Sequence, residues 1–238
     1  RLGMTDADMG ELFAAAAPAE AQDGPVQLAL FDTPTLADIQ TTPHRYILVQ
    51  EAEQRAELAA RLEASPRWAF DTETTCLDAL QDRLLGVSFC MEEHEAYYVP
   101  IDEPSTLDVF RAAFAGGAEK VVLNLKFDLK VLRTAGVNVN GPFFDAMLAH
   151  TALHPELRHN MDDMAEALLQ YRTVRLEEIA GKEMNTAAVP PETMADYAAE
   201  DADVTLRLAN VLAPQLEQAQ QTALMRDIEF PLLPVLAD

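Results

Sequence analysis

The spacing of apolar residues changes several times along the chain, and each change predicts an element. Up to about residue 42 there is little periodicity. That stretch is rich in Ala, Asp, Pro and Gln, and reads as a flexible linker with at most a short helix before Pro18. Tyr46-Ile47-Leu48-Val49 is a short β-type run, and Ala52 to Leu62 repeats apolar positions at helical spacing before Ser65-Pro66 stops it. Trp68-Ala69-Phe70 runs straight into Asp71. Leu84 to Cys90 and Ala96 to Pro100 are strand-like and flank a polar turn at Glu92-Glu93-His94-Glu95, which predicts an antiparallel meander of three strands. A helix from about Leu107 to Phe114 ends at Gly116-Gly117. Val121-Val122-Leu123-Asn124 then reads as a buried strand leading into a helix from Phe127 to Thr134. From Phe144 onward the pattern is helical, near 145–153, 161–170 and 191–217, with breaks at Pro155, Pro190-Pro191 and Pro214. Strands first and mostly helices afterwards predict an α/β domain with a mixed sheet. The apolar tail from Ile228 to Leu236 reads as the truncated start of a further region.

Composition adds limits. With 238 residues, 49% of them hydrophobic, the chain has enough apolar surface for a substantial core. It has no run of eighteen apolar residues and no apolar stretch after Arg1, so neither a helical membrane span nor a signal peptide is expected. Cys76 and Cys90 read as reduced thiols, which predicts a cytoplasmic protein. Charge is the odd feature. Forty acids face 17 bases for a net charge of −23, and the lysines are only Lys120, Lys126, Lys130 and Lys182. Such a balance repels nucleic acid at long range. A site that gathers divalent cations needs clustered acids, however, and the cations then present positive charge to phosphate. A lysine-poor acidic surface also suits a high-salt solvent that screens repulsion.

Three stretches carry the candidate chemistry. In an extended chain residues i and i+2 share a side, so Asp71 and Glu73 present two carboxylates together at the end of a buried strand. Like charges that close need a proton or a cation between them, and hard oxygen donors select Mg²⁺ or Mn²⁺. Asp128 follows a second buried strand in Asn124-Leu125-Lys126-Phe127-Asp128. Tyr197 and Asp201 lie four apart on one helix face, while Asp203 falls about 200° round from Asp201 and faces elsewhere. Each signal is weak when taken singly.

Strand–D-x-E, strand–N-x-x-x-D and helical Y-x-x-x-D in this order resemble the DEDD exonuclease superfamily, in its tyrosine branch. The match is most similar to the 3′→5′ exonuclease (proofreading) domain of bacterial DNA polymerase I. It runs through Asp71-Thr72-Glu73-Thr74, Leu77-Asp78, Leu85-Gly86-Val87-Ser88-Phe89, Asn124 to Asp128, Arg158-His159-Asn160-Met161-Asp162, Glu177 to Lys182 and Tyr197 to Thr205. The resemblance implies a ribonuclease H-like fold, a mixed β-sheet flanked by helices. It divides the chain into a linker at 1–42, an exonuclease domain at 43–215 and the start of a polymerase region at 216–238. It also implies two ions, Mg²⁺ or Mn²⁺, held by Asp71, Glu73, Asp128 and Asp201. Asp71 would bridge them, Glu73 and Asp201 would complete the tighter site, and Asp128 would serve the looser one. Tyr197 would orient the attacking water, since a phenol with a pKa near 10 is a poor base at neutral pH. Thr74 and Leu77 would hold the terminal nucleotide, and Asn124 and Arg158 would grip the strand. The expected substrate is a single-stranded or frayed DNA 3′ end, cut to nucleoside 5′-monophosphates by a monomeric domain joined to a polymerase.

The resemblance leaves departures and competitors. Leu123 stands where some relatives have a polar residue, and Phe127 replaces a common tyrosine. His94, His150 and His159 form no zinc pattern. Asp145 is expected to cap a helix, Asp162 and Asp163 to sit in a first helical turn, and Cys76 to be catalytically inert. A ribonuclease D-like RNA exonuclease keeps the chemistry and changes the substrate. A catalytically silent DNA-positioning scaffold would need no intact carboxylates.

Overall fold

The computed structural model describes residues 35–75, 83–181 and 185–237; Cys76, Leu77 and Lys182 lie outside them. The predicted meander is present. Strand β1 (Arg45–Leu48) and helix α1 (Ala52–Ala64) lead into β2 (Arg67–Thr74), β3 (Leu84–Glu92) and β4 (Glu95–Pro100). A 3₁₀ turn over Pro104–Phe110 and a short helix α2 (Arg111–Ala115) stand where one helix was expected. Strand β5 (Glu119–Val122), helix α3 (Leu125–Thr134), strand β6 (Phe143–Asp145) and helix α4 (Ala146–Leu153) follow. Beyond them come α5 (Met161–Met164) with its π-turn extension Ala165–Leu169, α6 (Leu176–Ala180), α7 (Pro191–Gln218), α8 (Thr222–Leu224) and α9 (Phe230–Leu236).

The six strands form one sheet in the order β1-β4-β3-β2-β5-β6. β2, β3 and β4 pair antiparallel, whereas β1 on β4, β5 on β2 and β6 on β5 are parallel. The sheet is mixed, as expected. Three expectations need correction. The chain from Phe144 is not helical at once, because Phe143–Asp145 adds an edge strand of three residues, too short to show alternation. Helix α3 starts at Leu125, two residues early, because Asn124 takes a left-handed conformation (φ 74°) and turns the chain directly into it. Pro214 does not break α7 but lies inside it. The hydrogen bond that Pro214 removes would have reached the carbonyl of Asn210, which is exposed, so water can serve that group. Near the start, Ala37 already pairs with Tyr171. Among the described residues no helix is long and apolar enough to cross a membrane.

Alternation along β2 divides the core in two. Trp68 and Phe70 face one side, where Phe89, Phe110, Phe114 and the α3 residues Leu125, Leu129 and Leu132 pack. Trp68 and Phe70 meet the Phe114 ring edge-on at 5.5 and 5.4 Å. Ala69 faces the other side and packs with Ala199, Ala202, Leu206 and Ala209 of α7. The small residues on that helix face let it approach the sheet closely. Gly86 serves the same end, since a Cβ there would stand 2.3 Å from the Tyr98 ring, which packs against Met194, Ala195 and Ala198 of α7.

Candidate active site

The two faces of β2 decide where the acids go. Asp71 and Glu73 share parity with Ala69, so they point toward α7, and Asp201 meets them from that helix. Oxygens of these three carboxylates lie within 4.8 Å of one another. Thr72 faces the α3 side, and its hydroxyl donates to Asp128 Oδ1 at 2.6 Å. Asp128 therefore approaches from the α3 layer, held by Thr72. Burial and then the Asp71 charge raise its carboxyl, but it does not belong to the 4.8 Å group.

Electrostatics single this cluster out. Burial pushes the Asp71 carboxyl up to about 7. Glu73 is raised well above the usual range by burial and by the Asp71 charge. Asp201 is raised by burial and then by both neighbours. One oxygen of Glu73, Oε1, is buried without a hydrogen-bond partner, and so is Ser88 Oγ, which sits opposite Asp71 in the register. Buried polar atoms are normally satisfied, and a buried, unpartnered Glu73 oxygen beside two further carboxylates suits a divalent cation. The donor set is all oxygen, which suits a hard divalent ion. Tyr197 lies beside Asp201, and the Asp201 charge, with burial, holds the phenol far above its ordinary value. It keeps its proton.

The other acids of α7 are spoken for. Glu200 accepts from the Tyr171 hydroxyl at 2.6 Å and the Val174 N–H at 2.7 Å. Asp203 accepts from the Tyr46 hydroxyl at 2.9 Å and the His94 N–H at 2.7 Å. As expected, Asp203 faces away from the site. Asp145 caps α4 through Leu148 N–H and also takes the Leu125 N–H at 2.8 Å, so one carboxylate caps two helices. Asp162 and Asp163 lie in the first turn of α5. His94, His150 and His159 form no metal group among the described residues, although His150 and His159 pair through their Nδ1 atoms at 2.8 Å.

Of the expected strand contacts, Thr74 ends β2 and its carbonyl accepts from Thr186. Asn124 is exposed at the start of α3. Arg158 extends into solvent with its side chain 85% exposed, 3.9 Å from Asp163. Leu77 lies outside the described residues. Thr72, Ser88 and Glu200 escaped the sequence reading. Their partners are distant in sequence, and strand alternation was the one available clue to Thr72.

Beside Tyr197 and Asp201 opens a cleft of about 230 Å³, walled by Met161, Asp162, Val174 and Arg175. A larger apolar cavity of about 640 Å³ lies between Phe143, Phe144, Phe230 and Pro234 and contains none of the candidate residues.

A mixed sheet of this order, with carboxylates gathered at the end of a central strand and completed from a long helix, defines a nuclease of the ribonuclease H-like class. The chain belongs to the 3′-5′ exonuclease family, whose model matches residues 46–217. It is 38% identical over 196 residues to DNA polymerase I of Pseudomonas aeruginosa, an alignment covering 74% of this chain and 22% of that protein. The chain spans about a quarter of the length of the curated relatives it matches. Among solved structures, Brucella melitensis NrnC with bound Mg²⁺ matches at TM-score 0.66 and 21% identity, covering 82% of this chain and 92% of that one. Escherichia coli RNase D, an exoribonuclease involved in structured RNA processing, matches at TM-score 0.67 and 17% identity, covering 81% and 50%. Both likenesses are of fold.

Proposed function

We propose that this 3′-5′ exonuclease acts on DNA, as the proofreading module of a DNA polymerase I, and releases nucleoside 5′-monophosphates from single-stranded or frayed 3′ ends. The observation that carries the reading is the meeting of Asp71, Glu73 and Asp201 within 4.8 Å, with one Glu73 oxygen buried and unpartnered. A pair of divalent ions, Mg²⁺ or Mn²⁺, held by Asp71, Glu73, Asp128 and Asp201, would supply the charge that makes water nucleophilic near neutral pH and offsets charge on the leaving 3′-oxygen. Asp71 would contribute beside all three of the others, since its charge is felt at Glu73, Asp128 and Asp201. Asp128, already bonded by Thr72, suits the looser site.

The chain's own residues do the orienting. The phenol of Tyr197 keeps its proton beside the Asp201 carboxylate, and its oxygen has lone pairs that can accept from the attacking water. That contact aims the water's oxygen at phosphorus without asking the phenol to act as a base. Thr74, Leu77, Asn124 and Arg158 are assigned to the strand. No base-edge readout is needed, because a mispaired end melts more readily than a paired one.

The test is digestion of 3′-labelled DNA with Mg²⁺, Mn²⁺ or EDTA, in competition with RNA of the same sequence. Mononucleotide release that requires metal and prefers DNA is the expected result. Preference for RNA would favour a ribonuclease D-like role, and no release at any salt concentration would reject an active exonuclease.

A further inference from the structure

A cluster of buried acids repels the phosphodiester it must cut, and a chain of net charge −23 offers little elsewhere to hold the strand. The cleft beside Tyr197 and Asp201 is lined by the acids Asp162 and Glu177 and, among the described residues, by one cation, Arg175. Its position is fixed from behind. The Val174 N–H and the Tyr171 hydroxyl both bind Glu200, the residue next to Asp201 on α7. Thr173 donates to Asp162 Oδ1 at 2.7 Å. The segment 171–175 is thereby bolted to the same helix that presents Tyr197 and Asp201. The guanidinium itself is loosely held: Nε stands 3.5 Å from Asp162 Oδ2, and the side chain is 57% exposed. An exposed pair of that length is a weak one that a better acceptor can replace.

We propose that Arg175 is a strand-binding residue, taking a backbone phosphate of the single strand that lies in the cleft beside the carboxylates. This rests on the reading of the site as a DNA 3′-exonuclease. Phosphate offers the planar guanidinium two parallel charge-assisted hydrogen bonds, against the single long contact it has with Asp162. Asp162 then acts as a parking place, keeping the fork at the cleft wall between turnovers. The contact falls on a phosphate away from the reacting atoms, so it lowers KM and leaves the chemical step alone.

The experiment compares wild type with R175A and R175E on a single-stranded oligodeoxythymidylate. It measures kcat and KM with Mg²⁺, and binding by fluorescence anisotropy in EDTA over a series of potassium chloride concentrations. Expected are a roughly tenfold rise in KM and Kd for R175A, a larger rise for R175E, and kcat within about twofold of wild type. The slope of log affinity against log salt should fall by about 0.7, the value for one lost phosphate contact on a single strand. If alanine disturbs the loop, as a lowered melting temperature would show, R175Q removes the charge and keeps the length. Unchanged KM, Kd and slope would overturn the proposal, and so would a fall in kcat at constant KM. Wild type that releases no mononucleotide would instead reject the exonuclease reading itself, and this inference with it.

Discussion

Replacing Asp201 by Asn should stabilise the metal-free protein while abolishing its response to metal. Two full charges no more than 4.8 Å apart, at an effective dielectric constant of about 20, repel by about 3.5 kcal/mol or more, and Asp201 has two such neighbours. Folding relieves part of this by holding protons on the group, which is why burial and mutual repulsion raise all three carboxyls. The net gain expected for D201N in EDTA at pH 7.5 is therefore smaller, about 1–2 kcal/mol after that protonation. For a chain of this size it corresponds to a rise of roughly 2–8 °C in Tm. Asn preserves the shape of Asp, so packing should not hide the effect. Metal offsets that advantage. Wild type should gain about 2.7 kcal/mol at a metal concentration one hundred times its Kd, and D201N should gain less than about 1 kcal/mol at that same concentration. Nucleotide release by D201N should fall by about 10³-fold or more, the loss expected when several kcal/mol of charge stabilisation disappear. The assay is thermal melting in EDTA and across a Mg²⁺ or Mn²⁺ titration, paired with release of labelled mononucleotide. D201N melting below wild type in EDTA, or wild type indifferent to both metals, would show that the acids are not a strained cation site.

Tyr197→Phe should lower kcat by about 10- to 100-fold while leaving metal-induced stabilisation intact, because it removes the hydroxyl proposed to orient the water and no carboxylate; a metal titration by melting beside the kinetics checks both halves. Asp145→Ala should cost about 2 kcal/mol in urea denaturation, roughly 1 kcal/mol for each of the two helices it caps. A loss below about 0.5 kcal/mol would contradict the double cap. Lys120 is fully buried, and burial pushes its ammonium down to about 8. The unfolded chain keeps that proton to about pH 10, so between 8 and 10 it binds more protons than the fold, and stability contributed by this group rises with pH. Wild type should therefore gain on Lys120→Met across that window in denaturant midpoints, and parallel curves would refute the assignment.

The legible part of the site was the part written in short periods. Asp71 and Glu73 share a face because strands repeat every two residues, and Tyr197 and Asp201 do because helices nearly repeat every four. Long-range pairing was out of reach. The hydroxyl of Thr72 reaches Asp128 across 56 positions, and the Glu200 carboxylate holds residues 26 and 29 positions away. The fold behaved in the same way. The meander and the α7 pattern were visible as repeats, whereas β6 is three residues long and becomes a strand only because Val121 and its neighbours offer it an edge. The proline in α7 misled because the sequence does not show that the carbonyl it strands faces water.

The helix α7 makes the physical distinction plain. Glu200, Asp201 and Asp203 are all buried within four residues, and nothing in their local sequence separates a ligand from a structural acid. Hydrogen-bond donors separate them. Glu200 and Asp203 are met by tyrosine hydroxyls and backbone N–H groups, which satisfy an anion in place and tie the helix to its neighbours. Asp201 is met by one phenol and by two more carboxylates. A buried anion surrounded by donors is part of the scaffold, while one surrounded by anions needs a partner from solution. The scaffold acids are what make the strained ones tolerable: by fixing α7 at its flanks, they prevent the helix from rotating Asp201 away from Asp71 and Glu73. Relief of the repulsion is then left to a proton or to a divalent cation, and burial, which pushes the Asp71 carboxyl up to about 7, brings the two into competition near neutral pH.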